Sequence, residues 1–224
     1  MERKGLLVNG LVKLTAGVVL VGLLLFLPAG SFGYSGAWLF LGLLFVPMLT
    51  VGIFLYVKAP DLMRKRLNSK ETEKEQKGII LLSTLVFIAM FVLAGLSFRF
   101  GWLPLPIPVI IVAAVVQLVA YGLWAEVMRE NAFLSRTVEI QENQTVVDTG
   151  LYGIVRHPMY FSAVLLYLSI PLVLGSLLSF AVSLLLIPVL VMRILNEEKV
   201  LENGLEGYRE YKQKVKYRLI PFIW

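Results

Sequence analysis

Long, nearly uncharged stretches of apolar residues constrain this chain more than any other feature of its sequence. Four of them occupy residues 6–27, 38–57, 78–98 and 109–128, and a fifth runs over residues 159–192. A membrane-spanning helix needs about 20 mostly apolar residues, so each of the first four is long enough to cross a bilayer once. Only 16% of the 224 residues are charged and 58% are hydrophobic, whereas soluble domains are about 25% charged. The sequence therefore predicts an integral, multi-pass membrane protein.

The fifth apolar stretch is too long for one membrane span and too short for two full ones. Pro171, Gly175 and Ser176 lie near its middle and supply a break. We therefore expect a tight helical hairpin that enters the membrane and returns. The predicted fold is an all-α, polytopic membrane bundle of about six transmembrane helices, with the last two forming this hairpin. A Rossmann domain is not expected, because the chain contains no Gly-x-Gly-x-x-Gly pattern.

The distribution of positive charge predicts the orientation in the membrane. Lys and Arg gather at both termini and in the 58–77 segment, whereas the opposite turns at 28–36 and 99–108 contain only Arg99. Positive loops stay on the cytoplasmic side, so both termini and the polar segment 129–158 are expected there. The membrane would be the plasma membrane in a prokaryote or the endoplasmic reticulum in a eukaryote. The net charge of +6 is interpreted as topology and contact with lipid headgroups, not as nucleic-acid binding.

Two residue counts restrict the chemistry. The chain has no cysteine and a single histidine, which is His157. Disulfides, thiolate nucleophiles and metal sites built from cysteines or several histidines are therefore excluded. We predict no metal, and the expected partners are the lipid bilayer and a lipophilic ligand.

The run from Gly150 to Tyr160 is the first candidate for chemistry. It places Arg156, His157 and Pro158 where the predicted hairpin begins. Proline near a helix start is structurally ordinary, so this run is interpretable as a basic membrane flank. The free N–H groups of a helix N-terminus also suit an anionic ligand, and a small-ligand pocket is the alternative.

The second candidate lies where the hairpin ends. Arg193 and Glu197 are spaced i, i+4, so they share one helix face and can pair. A solvated surface pair would contribute little, but ionisable groups that follow a membrane helix usually face the protein interior. The aromatic and basic tail around Tyr208, Tyr211 and residues 217–224 is predicted to be a membrane-surface anchor.

Taken together, these motifs resemble the isoprenylcysteine carboxyl methyltransferase family, within the wider group of phospholipid methyltransferases. The resemblance covers about residues 124–224 and depends on the order and spacing of short motifs. These are Asn131 to Ser135, Gln141, Val146-Val147, Gly150, Tyr152, Arg156-His157-Pro158, Tyr160, Arg193, Glu197-Glu198, Gly207-Tyr208, Tyr211 and the closing residues Arg218 to Phe222.

The resemblance implies a membrane enzyme that uses S-adenosylmethionine to methylate a lipid or lipid-modified acceptor, with a prenylcysteine carboxylate as one candidate. Residues 1–128 would then be a four-helix membrane scaffold, and residues 129–224 the cofactor-binding and catalytic region of the same domain. Arg193 and Glu197 would be catalytic, with Arg193 facing the acceptor. The implied cofactor contacts are Gln141, Gln144, Thr145, Val146, Val147, Tyr152, His157, Pro158, Met159, Tyr160, Glu197 and Glu198.

The chemistry of the acceptor decides what these residues must do. A carboxylate needs no base, only a cation such as Arg193 to orient it. An amine or thiol would need a deprotonating group, for which Glu197 or Glu198 would be the candidate. A lipophilic acceptor could enter sideways from the bilayer, while the water-soluble cofactor enters from the cytoplasm.

Two other classes remain as alternatives. Membrane sterol-type reductases resemble this last third but use NADPH, and their pattern differs from the Met159 to Ala163 run and from the cysteine-free Glu197-Glu198 region. A small transporter or assembly protein is the non-enzymatic alternative. Transporters place polar residues at mid-membrane, whereas Gln117 is the main polar exception within these spans. Both comparisons favour the methyltransferase.

Overall fold

A computed structural model describes residues 3–67, 74–135 and 137–224, and the regular structure of these residues is helical throughout. Helices α1 (Arg3–Ala29) and α2 (Ser35–Lys58) are followed by a short α3 (Pro60–Leu67). The long helices α4 (Lys74–Phe100) and α5 (Ile107–Glu130) come next. The part of the predicted 58–77 charged segment that spans residues 68–73 lies outside the described residues.

The hairpin follows a polar segment without long helices. Its first arm is α6 (Pro158–Val173), and its second arm consists of α7 (Leu177–Ser183) and α8 (Leu186–Gly204), after which a short α9 (Tyr208–Lys214) leads into the tail. In the described part of the chain, five helical runs are long and apolar enough to cross a membrane, and α6 is a shorter apolar helix of 16 residues. The predicted all-α bundle of about six membrane helices is thus confirmed.

The chain reverses between the two arms at Gly175. Its φ of +74° lies in the left-handed region that favours glycine. Ser176 then caps α7 by accepting a hydrogen bond of 3.1 Å from the Ser179 backbone N–H. Pro171, predicted to contribute to the break, lies inside α6 instead. The second arm was predicted as one helix, but the structure divides it at residues 184–185, where a turn separates α7 from α8.

The tip of the hairpin reaches the turns that join the longer helices. The Tyr34 hydroxyl, between α1 and α2, donates to the Leu174 carbonyl at 2.7 Å. The Leu105 backbone N–H, between α4 and α5, donates to the Gly175 carbonyl at 3.1 Å. The hairpin therefore extends as far across the bundle as its neighbours. We call this the turn end of the bundle, and the opposite end, which carries both chain termini, the terminal end.

Close helix packing holds the bundle together near the turn end. The core there includes Leu25, Phe40, Met90 and Val173, all fully buried. At Gly95 on α4, a Cβ atom would lie 2.6 Å from the Leu25 carbonyl oxygen of α1. Small residues at such positions let helix backbones approach closely, which is how membrane helices gain packing energy.

Helix α3 was not predicted from the sequence, which placed residues 58–77 in a charged loop. Pro60 at its first position and Asp61 in its first turn both favour a helix N-terminus, and its last turn is basic. Met63 is buried and lies against Gly10 of α1. Residues 60–67 are therefore packed against the bundle, and they are more than an indicator of topology.

Candidate active site

The polar segment between α5 and α6 folds over the terminal end of the bundle. The Asn131 side chain accepts from the Phe133 backbone N–H at 2.9 Å and donates to the Tyr152 hydroxyl at 3.0 Å. The Glu130 carboxylate accepts from the Leu151 N–H at 2.9 Å. Gly150, at a φ of +55°, passes so close that a Cβ atom would lie 1.8 Å from a Glu130 carboxylate oxygen. These contacts fix the end of α5 to a 3-10 turn at Gly150–Gly153.

The C-terminal tail binds across the Arg-His-Pro run. The backbone N–H groups of Arg156 and His157 donate to the carbonyls of Tyr217 and Arg218, each at 2.9 Å. On α9, the Tyr211 hydroxyl donates to the Tyr152 carbonyl at 2.7 Å. The tail is therefore docked on the protein.

The prediction that Tyr208 and Tyr211 anchor the chain to the membrane surface is wrong, since both side chains are buried in a cluster with Leu205 and Val215. The hydrogen bonds of the tail to the Arg-His-Pro run turn this face of α9 inward. Phe222 and Ile223, near the end of the same tail, are exposed.

A buried ion cluster joins α8, the Arg-His-Pro run and the tail. The Glu198 side chain is only 4% exposed. It accepts from Arg156 Nε at 2.8 Å and from Arg218 Nε at 2.9 Å, and it lies 3.3 Å from His157 Nε2. Lys212 Nζ approaches the same carboxylate at 3.8 Å. Both carboxylate oxygens of Glu198 are thus engaged by the protein.

A polar cavity of about 840 Å³, including the part that is open to solvent, lies beside this cluster. Its walls come from the polar segment, the start of α6, the end of α8 and helix α9. Among the predicted site residues, those that line it are Gln144, Thr145, Val146, Val147, Tyr152, His157, Met159, Tyr160, Arg193 and Glu197. The structure therefore brings together residues that are far apart in sequence but were predicted to share one site.

Three predicted cofactor residues do not line the polar cavity. Glu198 belongs to the ion cluster, and Pro158 forms the first turn of α6. The Gln141 side-chain amide donates to the Phe133 carbonyl, and its amide oxygen is buried without a hydrogen-bond partner among the described residues. Their roles toward a cofactor stay predictions.

Arg193 and Glu197 meet through Tyr160. The Arg193 Nε donates to the Tyr160 hydroxyl at 2.9 Å, and that hydroxyl donates to the Glu197 carboxylate. Tyr160 is 4% exposed and is held on the first turn of α6. The shared helix face predicted for Arg193 and Glu197 is therefore completed by a residue from the other arm of the hairpin.

A second, mostly apolar cavity of about 1470 Å³ lies between α2, α4, α5, α6 and α8, and we call it the apolar chamber. Its described lining residues are Leu44, Met48, Arg66, Ile79, Ile80, Ser83, Thr84, Phe87, Tyr121, Trp124, Ser135, Met159, Tyr160, Ala163, Leu166, Tyr167, Leu186, Val189, Leu190 and Arg193. Four of them, Ser135, Met159, Tyr160 and Arg193, also line the polar cavity. The two cavities therefore share a wall, which we call the junction.

Tyr208 is a site residue that the sequence analysis missed. It lines the polar cavity, is 4% exposed, and its hydroxyl has no hydrogen-bond partner among the described residues. Burial raises the pKa of Tyr208 well above its usual range, so the hydroxyl stays protonated and can donate to a ligand. The i, i+3 spacing of Tyr208 and Tyr211 on a short helix was the signal that both could face inward.

A polar tie between α4 and α8 was also missed. The Gln76 side-chain amide donates to Asn196 Oδ1 at 2.6 Å, and the Asn196 amide donates to Glu75 Oε2 at 2.5 Å. Asn196 directly precedes Glu197, so this tie holds α8 at the level of the site. No sequence pattern connects positions so far apart. Nothing in the described part of the chain groups three or more metal-ligating side chains.

A known protein family matches the part of the chain that forms much of the candidate site. The model of the family described as phospholipid methyltransferase matches residues 108–206, from the first turn of α5 to just past the end of α8. The resemblance to this group, which includes the isoprenylcysteine carboxyl methyltransferases, is thereby confirmed. No curated protein sequence matches the chain. The family match and the apolar helices together fit a membrane methyltransferase.

Proposed function

We propose that this chain, whose residues 108–206 match the phospholipid methyltransferase family model, transfers a methyl group from S-adenosylmethionine to a lipid or lipid-modified acceptor. One observation carries the proposal: a polar cavity and an apolar chamber share the wall formed by Ser135, Met159, Tyr160 and Arg193. A methyltransferase for lipids needs one compartment for a water-soluble donor and one for a hydrophobic acceptor. The reacting atoms of both must meet where the compartments adjoin.

The polar groups of the cavity lining fit the cofactor. Glu197 offers a carboxylate to hydroxyl or ammonium groups, and the Tyr208 hydroxyl offers a buried donor that no described residue uses. The rings of Tyr152 and Tyr160 suit an adenine or a sulfonium. When bound, the cofactor supplies an already activated methyl group.

The protein residues at the junction would act by orientation. Methyl transfer is an in-line displacement, so alignment of donor and acceptor can supply much of the acceleration. Arg193 reaches the junction from α8, where its guanidinium would orient a carboxylate acceptor by charge-assisted hydrogen bonds. For an amine acceptor, Glu197 is the candidate base, because the Glu198 oxygens are already engaged by Arg156 and Arg218.

The same two cavities support the proposed division of the chain into a scaffold region and a catalytic region. Residues 129–224 supply most of the polar cavity, in line with a cofactor-binding and catalytic region. Residues 1–128 supply scaffold helices, but α2, α4 and α5 also form walls of the apolar chamber. In the orientation that the positive charges favour, the cofactor would enter from the cytoplasm and the acceptor from the bilayer.

Calorimetric titration of the detergent-purified protein with S-adenosylhomocysteine tests the cofactor assignment, with NADPH titrated in parallel. We expect micromolar binding of S-adenosylhomocysteine that is lost in Glu197→Ala. The matched control is Glu202→Ala, which removes a carboxylate of the same helix that does not line the polar cavity and should bind as the wild type does. Binding of NADPH alone would instead favour the reductase class. The absence of detectable binding of either ligand would favour a transporter or assembly protein.

A further inference from the structure

We infer that Arg66 is a specificity-determining residue of the apolar chamber, and that it binds an acidic group of a long-chain acceptor together with Arg193. This inference rests on the proposed function, because it assigns the chamber to the acceptor. The acidic group is a carboxylate or a phosphate.

Helix α3 brings Arg66 to the chamber. Burial of Met63 against α1 fixes one face of the helix, and the Lys13 ammonium donates to the Leu67 carbonyl at 2.5 Å. Arg64 lies on an exposed part of α3 and pairs with Asp61 at 3.1 Å. Arg66, two residues on, lines the chamber instead. Two arginines of one eight-residue helix therefore differ sharply in surroundings.

A cation–π contact with an aromatic ring holds the Arg66 guanidinium at the chamber wall. Its central carbon lies 4.7 Å from the centroid of the Trp124 ring, and Trp124 lines the same chamber. A guanidinium at this distance is within the range of a cation–π contact. Its planar set of N–H donors suits recognition of a carboxylate or phosphate, whose oxygens accept hydrogen bonds from two such donors at once.

The charge of the lining points to an anionic ligand. Arg66 and Arg193 are the only charged side chains among the described residues that line the chamber, and the rest are apolar, aromatic or hydroxyl-bearing. Charges in a low-dielectric cavity interact more strongly than in water. Two cations facing such a cavity disfavour a cationic headgroup and favour an acidic one. The apolar remainder of the walls suits a hydrocarbon chain.

Equilibrium binding of matched amphiphiles to the full-length protein tests this inference. One pair is farnesoic acid and its methyl ester, and the other is farnesyl phosphate and farnesol. We expect the wild type to bind an acid at least tenfold more tightly than its neutral partner. Arg66→Gln should remove most of this preference without changing the affinity for S-adenosylhomocysteine. Arg66→Lys should keep part of it, and Arg64→Gln, the control on the same helix, should keep all of it.

The outcomes separate this inference from the proposed function. Equal affinity for acid and neutral partner in the wild type, or an unchanged preference in Arg66→Gln, would overturn the inference while S-adenosylhomocysteine binding still supported the methyltransferase. Acid binding that depends on Arg66, without binding of S-adenosylhomocysteine, would support the inference and overturn the methyltransferase. Comparison of the two acids then identifies whether the carboxylate or the phosphate is the recognised group. Retained S-adenosylhomocysteine binding in Arg66→Gln also shows that the variant is folded.

Discussion

Arg193 donates a hydrogen bond of 2.9 Å to the Tyr160 hydroxyl, although the two residues lie on opposite arms of the hairpin. Both residues line the polar cavity and the apolar chamber. The same hydroxyl donates to Glu197, so one phenol connects the residue that would face the acceptor with the residue that would face the cofactor. The contact that holds the two arms together at this end is therefore also a contact of the candidate active site.

Tyr160→Phe should slow methyl transfer by about tenfold, because Arg193 and Glu197 lose their shared partner while the ring and its packing remain. Residues in one hydrogen-bond network couple by about 0.5–3 kcal/mol. The measurement is the transfer rate from radiolabelled S-adenosylmethionine in Tyr160→Phe, Glu197→Gln and the double variant. Strictly additive losses would contradict the network, whereas a double variant close to the poorer single variant would support it.

Arg193→Gln should lower the rate of methyl transfer by about 10²–10³, the usual effect of removing one oriented donor from a preorganised site. Binding of S-adenosylhomocysteine should be nearly unchanged, since Arg193 would serve the acceptor. Single-turnover kinetics and calorimetry on the same preparation separate the two effects. A variant that keeps its transfer rate with the cofactor bound would exclude the acceptor role of Arg193.

Tyr208→Phe and Tyr211→Phe should differ in their effect on the stability of the fold, although both tyrosines are buried on α9. The Tyr208 hydroxyl has no protein partner among the described residues, so its removal should leave the folded protein equally or slightly more stable. Binding of S-adenosylhomocysteine should weaken about tenfold. The Tyr211 hydroxyl donates to the Tyr152 carbonyl at 2.7 Å, so its removal should cost about 1 kcal/mol of stability.

Thermal unfolding and calorimetry, applied to both tyrosine variants, distinguish these effects. Loss of stability without loss of affinity in Tyr208→Phe would show that the hydroxyl serves the fold. The pair is matched because each variant removes one oxygen atom and keeps the ring.

Apolar runs were sufficient to predict the membrane helices, because burial in lipid requires a long uncharged segment whatever the neighbours are. Gly175 and Ser176 indicated the hairpin turn for an equally local reason. The break at residues 184–185 has a local cause in Pro188, which lacks the N–H that would bond to the Leu184 carbonyl and crowds that carbonyl with its ring. This proline was overlooked when the second arm was predicted as one helix. Helix α3 was hard to predict because four of its residues are charged and Met63 is its one buried side chain.

The sequence motifs predicted which residues would lie together at the candidate site, as with Tyr152, His157, Tyr160, Arg193 and Glu197, which line one cavity. Two features could not be predicted fully from the sequence. The i, i+3 spacing of Tyr208 and Tyr211 indicated one inward face of α9, but the docking of that face depends on backbone hydrogen bonds between the tail and the Arg-His-Pro run, which side-chain patterns do not encode. The junction of the two cavities depends on how five helices pack, and Arg66 enters it from a segment that the sequence assigned to topology.

Glu198→Gln should be strongly destabilising, because Glu198 is the carboxylate that balances Arg156, Arg218 and Lys212 in a buried cluster. Removing one partner of a buried ion pair typically costs about 3–5 kcal/mol, since the remaining charges stay buried without compensation. The thermal midpoint in detergent is the measurement. Glu202→Gln, which breaks the more exposed pair with Lys212, should cost less than about 1 kcal/mol. Equal midpoints for the two variants would show that the Glu198 cluster contributes little.

Gly95→Ala should destabilise the bundle, because the added Cβ would lie 2.6 Å from the Leu25 carbonyl oxygen and 3.1 Å from the Ala29 nitrogen. Both obstacles are backbone atoms, so relief requires α1 and α4 to separate, and overpacking of this kind typically costs about 1–3 kcal/mol. Gly122→Ala on α5 is the control, since nothing lies within 4 Å of its Cβ position. Alanine is favoured over glycine in a helix interior by about 1 kcal/mol, so Gly122→Ala should keep or raise the thermal midpoint while Gly95→Ala lowers it. A midpoint that rises in both variants would mean that α1 and α4 do not pack as closely as Gly95 requires.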